Sequence, residues 1–144
     1  MLGRKNMPKS FDKWQDLKYN DSEKYAEYKL SYADKNLQNK IRGEYNLTIL
    51  EGKQGKHILG HNNYREGRSY ITVSMQDAQE LVNKYAGTGN IDRDKNGKWK
   101  HTEIVSHDSI IGVDVDNRTG QNVDTNMFKI HYAKAGVHIV PKRE

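Results

Sequence analysis

The segment Phe128-Lys-Ile-His-Tyr-Ala-Lys-Ala-Gly-Val-His-Ile-Val-Pro141 constrains this chain more than any other. Two runs in which apolar and polar residues alternate are separated by a short Ala-Lys-Ala-Gly stretch. Alternation at period two is the signature of a strand with one buried face. The pattern predicts strands over Phe128–Tyr132 and Val137–Val140, with the chain reversing through Ala133–Gly136. Tyr132 then opposes Val137, Ile130 opposes Ile139 and His131 opposes His138. One face is apolar and must lie on a core. The other carries Lys129, His131 and His138, with Lys134 at the turn, and opposed side chains there have Cβ atoms about 5 Å apart.

The rest of the chain supplies helices to cover such a sheet. Pro8-Lys-Ser10 can start a helix in which Phe11, Trp14 and Leu17 recur at helical spacing. Ser22 suits the N-cap of a second helix from Glu23, with Tyr25, Tyr28, Tyr32 and Leu37 reading as a buried stripe that runs towards Ile41. Tyr45–Leu50 suits a short strand or lead-in, and the glycines of Glu51–His57 suggest a loop. Ser69–Val73 alternates like a strand. Ser74 can cap a helix over Gln76–Tyr85 with Leu81, Val82 and Tyr85 inward, which Gly87-Thr-Gly89 ends. Lys98–Val105 and Ile110–Val115 complete the strands, with turns at Asn96-Gly97 and Thr119-Gly120. The expectation is an α+β fold, helices packed against a twisted antiparallel sheet, with residues 1–50 a helical linker or neck and residues 51–144 the main domain.

With 144 residues the chain has room for one ordinary domain. A net charge of +5 and a pI of about 9.3 favour an anionic partner. The absence of cysteine excludes disulfides, thiolate nucleophiles and cysteine-bound zinc. No apolar run approaches the roughly 20 residues that span a bilayer. Because Met1–Pro8 lacks the apolar stretch of a signal peptide, export is expected to depend on another carrier.

Two segments carry chemistry. The opposed His131 and His138 suit phosphodiester cleavage, in which one imidazole takes a proton from a 2′-hydroxyl, another protonates the leaving oxygen, and a lysine neutralises the phosphorane. Exposed strand histidines without a role are the plain alternative. Lys53, Lys56, His57 and His61, followed by Arg65 and Arg68, form a segment built to meet anions, or simply a basic solvent-facing loop. His57, His61, His131 and His138 also offer enough ligands for zinc. Asp92–Glu103 has the spacing of a calcium-binding EF-hand loop, although a hairpin turning at Asn96-Gly97 accounts for the same residues. Thr125-Asn126 can donate to a phosphate or serve as a turn.

Together these segments resemble the polymorphic toxin type 50 domain, found at the C-termini of bacterial toxins and of phage head-morphogenesis proteins. The resemblance runs from about Lys53 to Pro141. It rests on Lys53-Gln54, Lys56-His57-Ile58, Gly60, Asn63-Tyr64, Ser69-Tyr70, Gln79, Leu81, Tyr85-Ala-Gly-Thr-Gly89, Thr125-Asn126, His131-Tyr132, Lys134, Gly136 and His138-Ile-Val-Pro141. It implies a fold like barnase, EndoU, colicin D and RelE, and RNA cleavage without metal or other cofactor. The implied partners are RNA and a cognate immunity protein. His57, His131, Lys134, His138 and Thr125 become the expected catalytic set, with His57 as base, His138 as acid and His131 with Lys134 stabilising the transition state; the base and acid labels can be exchanged. Lys53, Lys56, His61, Arg65, Arg68, Lys129 and Tyr132 become the expected substrate contacts. The chain departs from the family pattern at His61 and Ala133, where threonine and serine are common. Residues 1–50 resemble the segment that precedes this domain in phage head proteins. The expectation is therefore a portion of a longer phage or secreted toxin that acts in the bacterial cytoplasm. A non-catalytic nucleic-acid-binding or structural module, a metal-dependent nuclease, and a toxin with a target other than RNA are the alternatives.

Overall fold

The computed structural model describes residues 22–144. The expected helix around Phe11, Trp14 and Leu17 lies outside them. Helix α1 runs over Ser22–Glu44, α2 over Glu51–Gln54 followed by a 3₁₀ turn at Gly55–His57, and α3 over Met75–Tyr85. The strands are β1 (Tyr70–Ile71), β2 (Asn90–Arg93), β3 (Trp99–Ser106), β4 (Gly112–Val115), β5 (Asn122–Thr125), β6 (Met127–Ala133) and β7 (Gly136–Pro141). All strand pairs are antiparallel, giving a four-stranded sheet in the order β2-β3-β6-β7 and a three-stranded sheet in the order β1-β4-β5. The fold is α+β. Among the described residues no helix is long and apolar enough to cross a membrane.

Lys40–Glu144 form one compact unit, separate from residues up to Asn39. The unit takes in the end of α1, whose Ile41 is fully buried, and Arg42 donates from its guanidinium to the carbonyl of Gly87. Of the stripe expected on that helix, Tyr32 is exposed, and the side chains of Tyr25 and Tyr28 lie outside the described part.

The core forms where the apolar face of the large sheet meets α3. Phe128, Ile130, Tyr132, Val137 and Ile139 on the hairpin, and Val105 on β3, are buried, as are Ala78, Leu81 and Val82 of α3. Helix α3 starts where the sequence places it, because the Ser74 hydroxyl accepts from the backbone N–H of Asp77. Ser74→Ala is expected to cost about 1 kcal/mol, seen as a fall of a few degrees in Tm. Beyond α3, Glu103 is buried on the core face. Its carboxylate accepts from the N–H groups of Gly87 and Gly89 and from the Tyr132 hydroxyl at 2.6–2.9 Å.

The β6–β7 hairpin has the register that alternation predicts: Tyr132 opposes Val137, Ile130 opposes Ile139 and His131 opposes His138. The strands extend one residue further at each end than expected, so Lys134 and Ala135 alone make the turn. Gly136 follows, where a Cβ would stand 2.4 Å from the Thr48 carbonyl oxygen.

The segment Glu51–His57 is helical rather than the loop its glycines suggest. Gly55 gives close approach, not a reversal: a Cβ there would fall 2.3 Å from the His61 ring. Two strands, β2 and β5, are missed by the sequence patterns because each is four residues long and polar. The EF-hand-like spacing resolves into the β2–β3 hairpin. Asp94 closes its turn by accepting from the N–H groups of Asn96 and Lys98. Asp92 and Glu103, first and twelfth in that spacing, occupy opposite faces of the sheet and meet at no common point.

Candidate active site

The outer face of the large sheet carries a file of polar side chains that crosses every strand. Asp92 on β2 pairs with Thr102 on β3, Thr102 with His131 on β6, and His131 with His138 on β7. Cross-strand partners project to the same face. His57 extends the file beyond the sheet edge. The ring centroids of His131 and His138 are 4.6 Å apart with planes 14° from parallel, and those of His138 and His57 are 5.9 Å apart with planes 7° from parallel. Three imidazoles thus lie face to face in one ladder.

His57 reaches the ladder because the edge strand is capped by what precedes it. The carbonyl of Thr48 accepts from Val137 N–H, and Leu50 N–H donates to the Val137 carbonyl. One residue pair further on, the side-chain amide of Gln54 takes over. Its Nε2 donates to the Ile139 carbonyl at 2.9 Å and its Oε1 accepts from Ile139 N–H at 2.7 Å. Gln54 is fully buried and acts as one residue's worth of an extra strand. The 3₁₀ turn that starts at the next residue then sets His57 beside His138. Sequence reading named Gln54 only within a motif; its role is fixed by a contact 85 residues away.

The His57 Nδ1 lies 2.9 Å from the Ser69 carbonyl oxygen. A carbonyl only accepts, so Nδ1 carries the proton and Nε2 of the neutral ring keeps its lone pair. Ser69 is itself held: its hydroxyl accepts from Val115 N–H and reaches Asp114, which also binds the backbone and guanidinium of Arg143.

The electrostatics favour neutral imidazoles. Burial pushes the His131 pKa down to about 4, with Lys129 and His57 adding to the effect against a smaller opposing pull from Asp92. Burial also pushes His138 down to about 3, helped by His131, His57, Lys53 and Lys56. His57 is lowered by burial and by Arg68 and Lys56, against the raising effect of its bond to Ser69. Burial acts to raise Asp92, but bonds from Thr102 and Lys129 and the charge of Lys100 outweigh it and hold the carboxyl below its usual range. Lys129 Nζ sits 3.1 Å from that carboxylate. The ladder is thus a set of uncharged bases ringed by cations. The unfolded chain takes up protons near pH 6.5 that the folded ladder refuses, so stability falls as pH drops from 6.5 and levels off below the folded values of about 3–4. Thermal unfolding between pH 7 and 4 is expected to show this slope, and His131→Asn is expected to flatten it.

Of the expected catalytic residues, the structure brings His57, His131 and His138 together. Lys134 stands exposed at the hairpin turn, three residues along the strand from His131. Thr125 is buried at the opposite end of the hairpin, where its hydroxyl donates to the Lys142 carbonyl at 2.7 Å and accepts from Met127 N–H. That proton is already engaged within the fold. Lys53, Lys56 and Arg68 are exposed and near enough to the ladder to depress its histidines, while Arg65 is exposed in the loop before Arg68. His61 is turned into its own loop, where Nδ1 accepts from Asn63 N–H and Nε2 lies 3.7 Å from Glu51. Tyr132 is not brought to the ladder. Alternation puts it on the core face, 5% exposed, with its hydroxyl on Glu103 and its ring against Tyr45 and Trp99. Among the described residues no group of three or more His, Cys, Asp or Glu is placed to hold a metal ion.

Residues 49–141 match the model of a family described as Ntox50, bacterial toxin 50. That span contains the capped edge, the histidine ladder and both sheets. No curated protein is significantly similar to the chain.

Proposed function

The chain belongs to this bacterial toxin family, and we propose that its toxic activity is metal-independent cleavage of RNA by the histidine ladder. The observation that carries the proposal is the stacked trio His57–His138–His131, its first tautomer set by Ser69 and its surroundings cationic. In the same reading the fold is of the barnase, EndoU and RelE kind. The partners are RNA and a cognate immunity protein, and the toxin is delivered from a phage particle or by secretion to act in the bacterial cytoplasm.

The reaction is attack of a ribose 2′-oxygen on the adjacent phosphorus, with departure of the 5′-oxygen of the next nucleotide. A 2′,3′-cyclic phosphate and a 5′-hydroxyl result. Nε2 of His57 takes the 2′-hydroxyl proton, since that nitrogen keeps its lone pair. His138 returns a proton to the leaving oxygen. His131 and the lysines stabilise the phosphorane charge, Lys129 from the next pair along the strand and Lys134 from the turn. Thr125 serves the fold, holding the chain after β7, rather than the phosphate. An imidazole held neutral in the free protein becomes an acid only when it gains a proton, and a phosphate anion brought beside it favours that gain.

This gives the activity a direction with pH. The acid is scarce at neutral pH and becomes more populated as pH falls towards its depressed pKa, while His57 stays available as base until its own lowered pKa is crossed. The kcat/KM for RNA is expected to peak below pH 6.5, the ordinary histidine value. A peak above pH 7.5 would contradict the assignment. The function itself is tested by incubating the purified protein with total bacterial RNA, with and without excess EDTA. Cleavage is expected in both, and its loss in EDTA would point instead to a metallonuclease.

A further inference from the structure

A second feature of the same sheet is not used by this chemistry. A cavity of about 260 Å³ lies at the open edge of the sheet where β2 begins, lined by Thr88, Asn90, Ile104, Ser106 and Met127 and, from the core side, by Tyr85 and Val105. By register, Ile104 opposes Lys129 and Ser106 opposes Met127, in step with Thr102 opposite His131. Ile104, Ser106 and Met127 therefore stand on the face that carries the ladder. Ile104 is two residues from Thr102 along β3, about 7 Å, and Lys129 lies between the ladder and the cavity. The sheet opens here because β2 starts at Asn90, opposite Ile104, and β3 continues through Val105 and Ser106 without a β2 partner. The Gly87–Gly89 segment closes the far side. A Cβ at Gly89 would fall 2.3 Å from the Ile104 carbonyl oxygen, so glycine lets this wall approach the strand.

The lining contrasts with the ladder: none of its residues is charged. A phosphate has no cation to meet inside. A flat, neutral ring with hydrogen-bonding edges has the side-chain amide of Asn90, which both donates and accepts, the hydroxyl of Ser106, and apolar contact with Ile104 and Met127; the Thr88 hydroxyl, which donates to the Tyr85 carbonyl at 2.7 Å, can only accept. Single-stranded RNA is read through such contacts to unstacked bases. The larger cavity of about 370 Å³ beside α3 is lined by Asp77 and Glu80 as well as Lys84, and its carboxylates disfavour a polyanion. We infer that the neutral cavity is a nucleobase subsite, holding a base next to the bond that the ladder cuts and giving the toxin its sequence preference. The inference rests on the ribonuclease reading for its consequence but not for its binding test.

That test is an NMR titration of the wild-type chain with each of the four nucleoside 3′-monophosphates, following the Met127 methyl and the Asn90 side-chain amide. Alongside it, the ends produced from a randomised RNA are sequenced for wild type, Asn90→Ala and Ser106→Phe, the last of which fills the cavity from an exposed position. Base-dependent shifts at Met127 and Asn90 are expected, together with a base preference beside the cut that falls about tenfold in either variant, the loss of one good base contact. Equal binding of all four nucleotides with Met127 unmoved would overturn the subsite, as would cutting by the wild type without base preference. Base-selective shifts from a wild type that cuts no RNA would retain the subsite and remove the ribonuclease reading.

Discussion

His138→Ala is expected to lower RNA cleavage by about 10²–10⁴-fold while leaving the circular dichroism spectrum of the folded protein in place. The ring occupies the middle of the ladder, 4.6 Å from His131 and 5.9 Å from His57, so its loss removes the proposed acid and separates the other two. The residue stands on the outer face of β7, and the core beneath is packed by its neighbours Val137 and Ile139. His57→Ala is expected to lose as much. Residues that act as one unit are not additive, so the double variant is expected to fall little below either single one. Full activity in both single variants would sink the assignment.

The second large effect is expected at a residue that touches no substrate. Gln54→Leu keeps the buried volume roughly constant and removes both bonds to the Ile139 backbone. A buried group left without a partner costs about 1–3 kcal/mol, so losing two partners is expected to destabilise the fold by about 2–6 kcal/mol. Denaturant unfolding would show it as a lower midpoint at unchanged slope. Cleavage is also expected to fall, at temperatures where the variant is fully folded, because the turn bearing His57 is no longer held beside His138. Gln54→Glu adds a pH test: protonated, its carboxyl can accept from Ile139 N–H and donate to the Ile139 carbonyl, whereas ionised it sets a buried charge against that carbonyl, so its loss is expected to grow as pH rises. A fully stable, fully active Gln54→Leu would mean that the edge is held by the Thr48–Leu50 segment alone.

What could be read from sequence was the part written in short-range pattern. Period-two alternation gives the β6–β7 hairpin, and with it the pairing of His131 with His138, because the residues that fix the register are the same ones that build the core. The cap at Ser74 and the turn at Asn96-Gly97 are equally local. The association of His57 with that hairpin had no local signal and came only through the resemblance; physically it depends on Gln54 reaching Ile139 across 85 residues. Glycine misled at Gly52 and Gly55, which lie in helical turns; at Gly55 close packing against His61, not chain reversal, requires it. The short polar strands β2 and β5 have no apolar alternation of their own. β2 nonetheless contributes Asp92, whose place in the polar file is invisible until the sheet order is known. Tyr132 shows the opposite error: it adjoins His131 in sequence, and the same alternation that exposes the histidine turns the tyrosine into the core.

The central claim is that the ladder cleaves RNA through the substrate's own 2′-hydroxyl. It is tested most directly on a short RNA that the protein cuts at one position, compared with the same strand carrying a single 2′-deoxyribose on the 5′ side of that bond. The all-ribose strand is expected to be cut to a 2′,3′-cyclic phosphate end, and the substituted strand to stay intact at that position. Cutting of both strands at similar rates would contradict it, since a water molecule, not the 2′-oxygen, would then be the nucleophile.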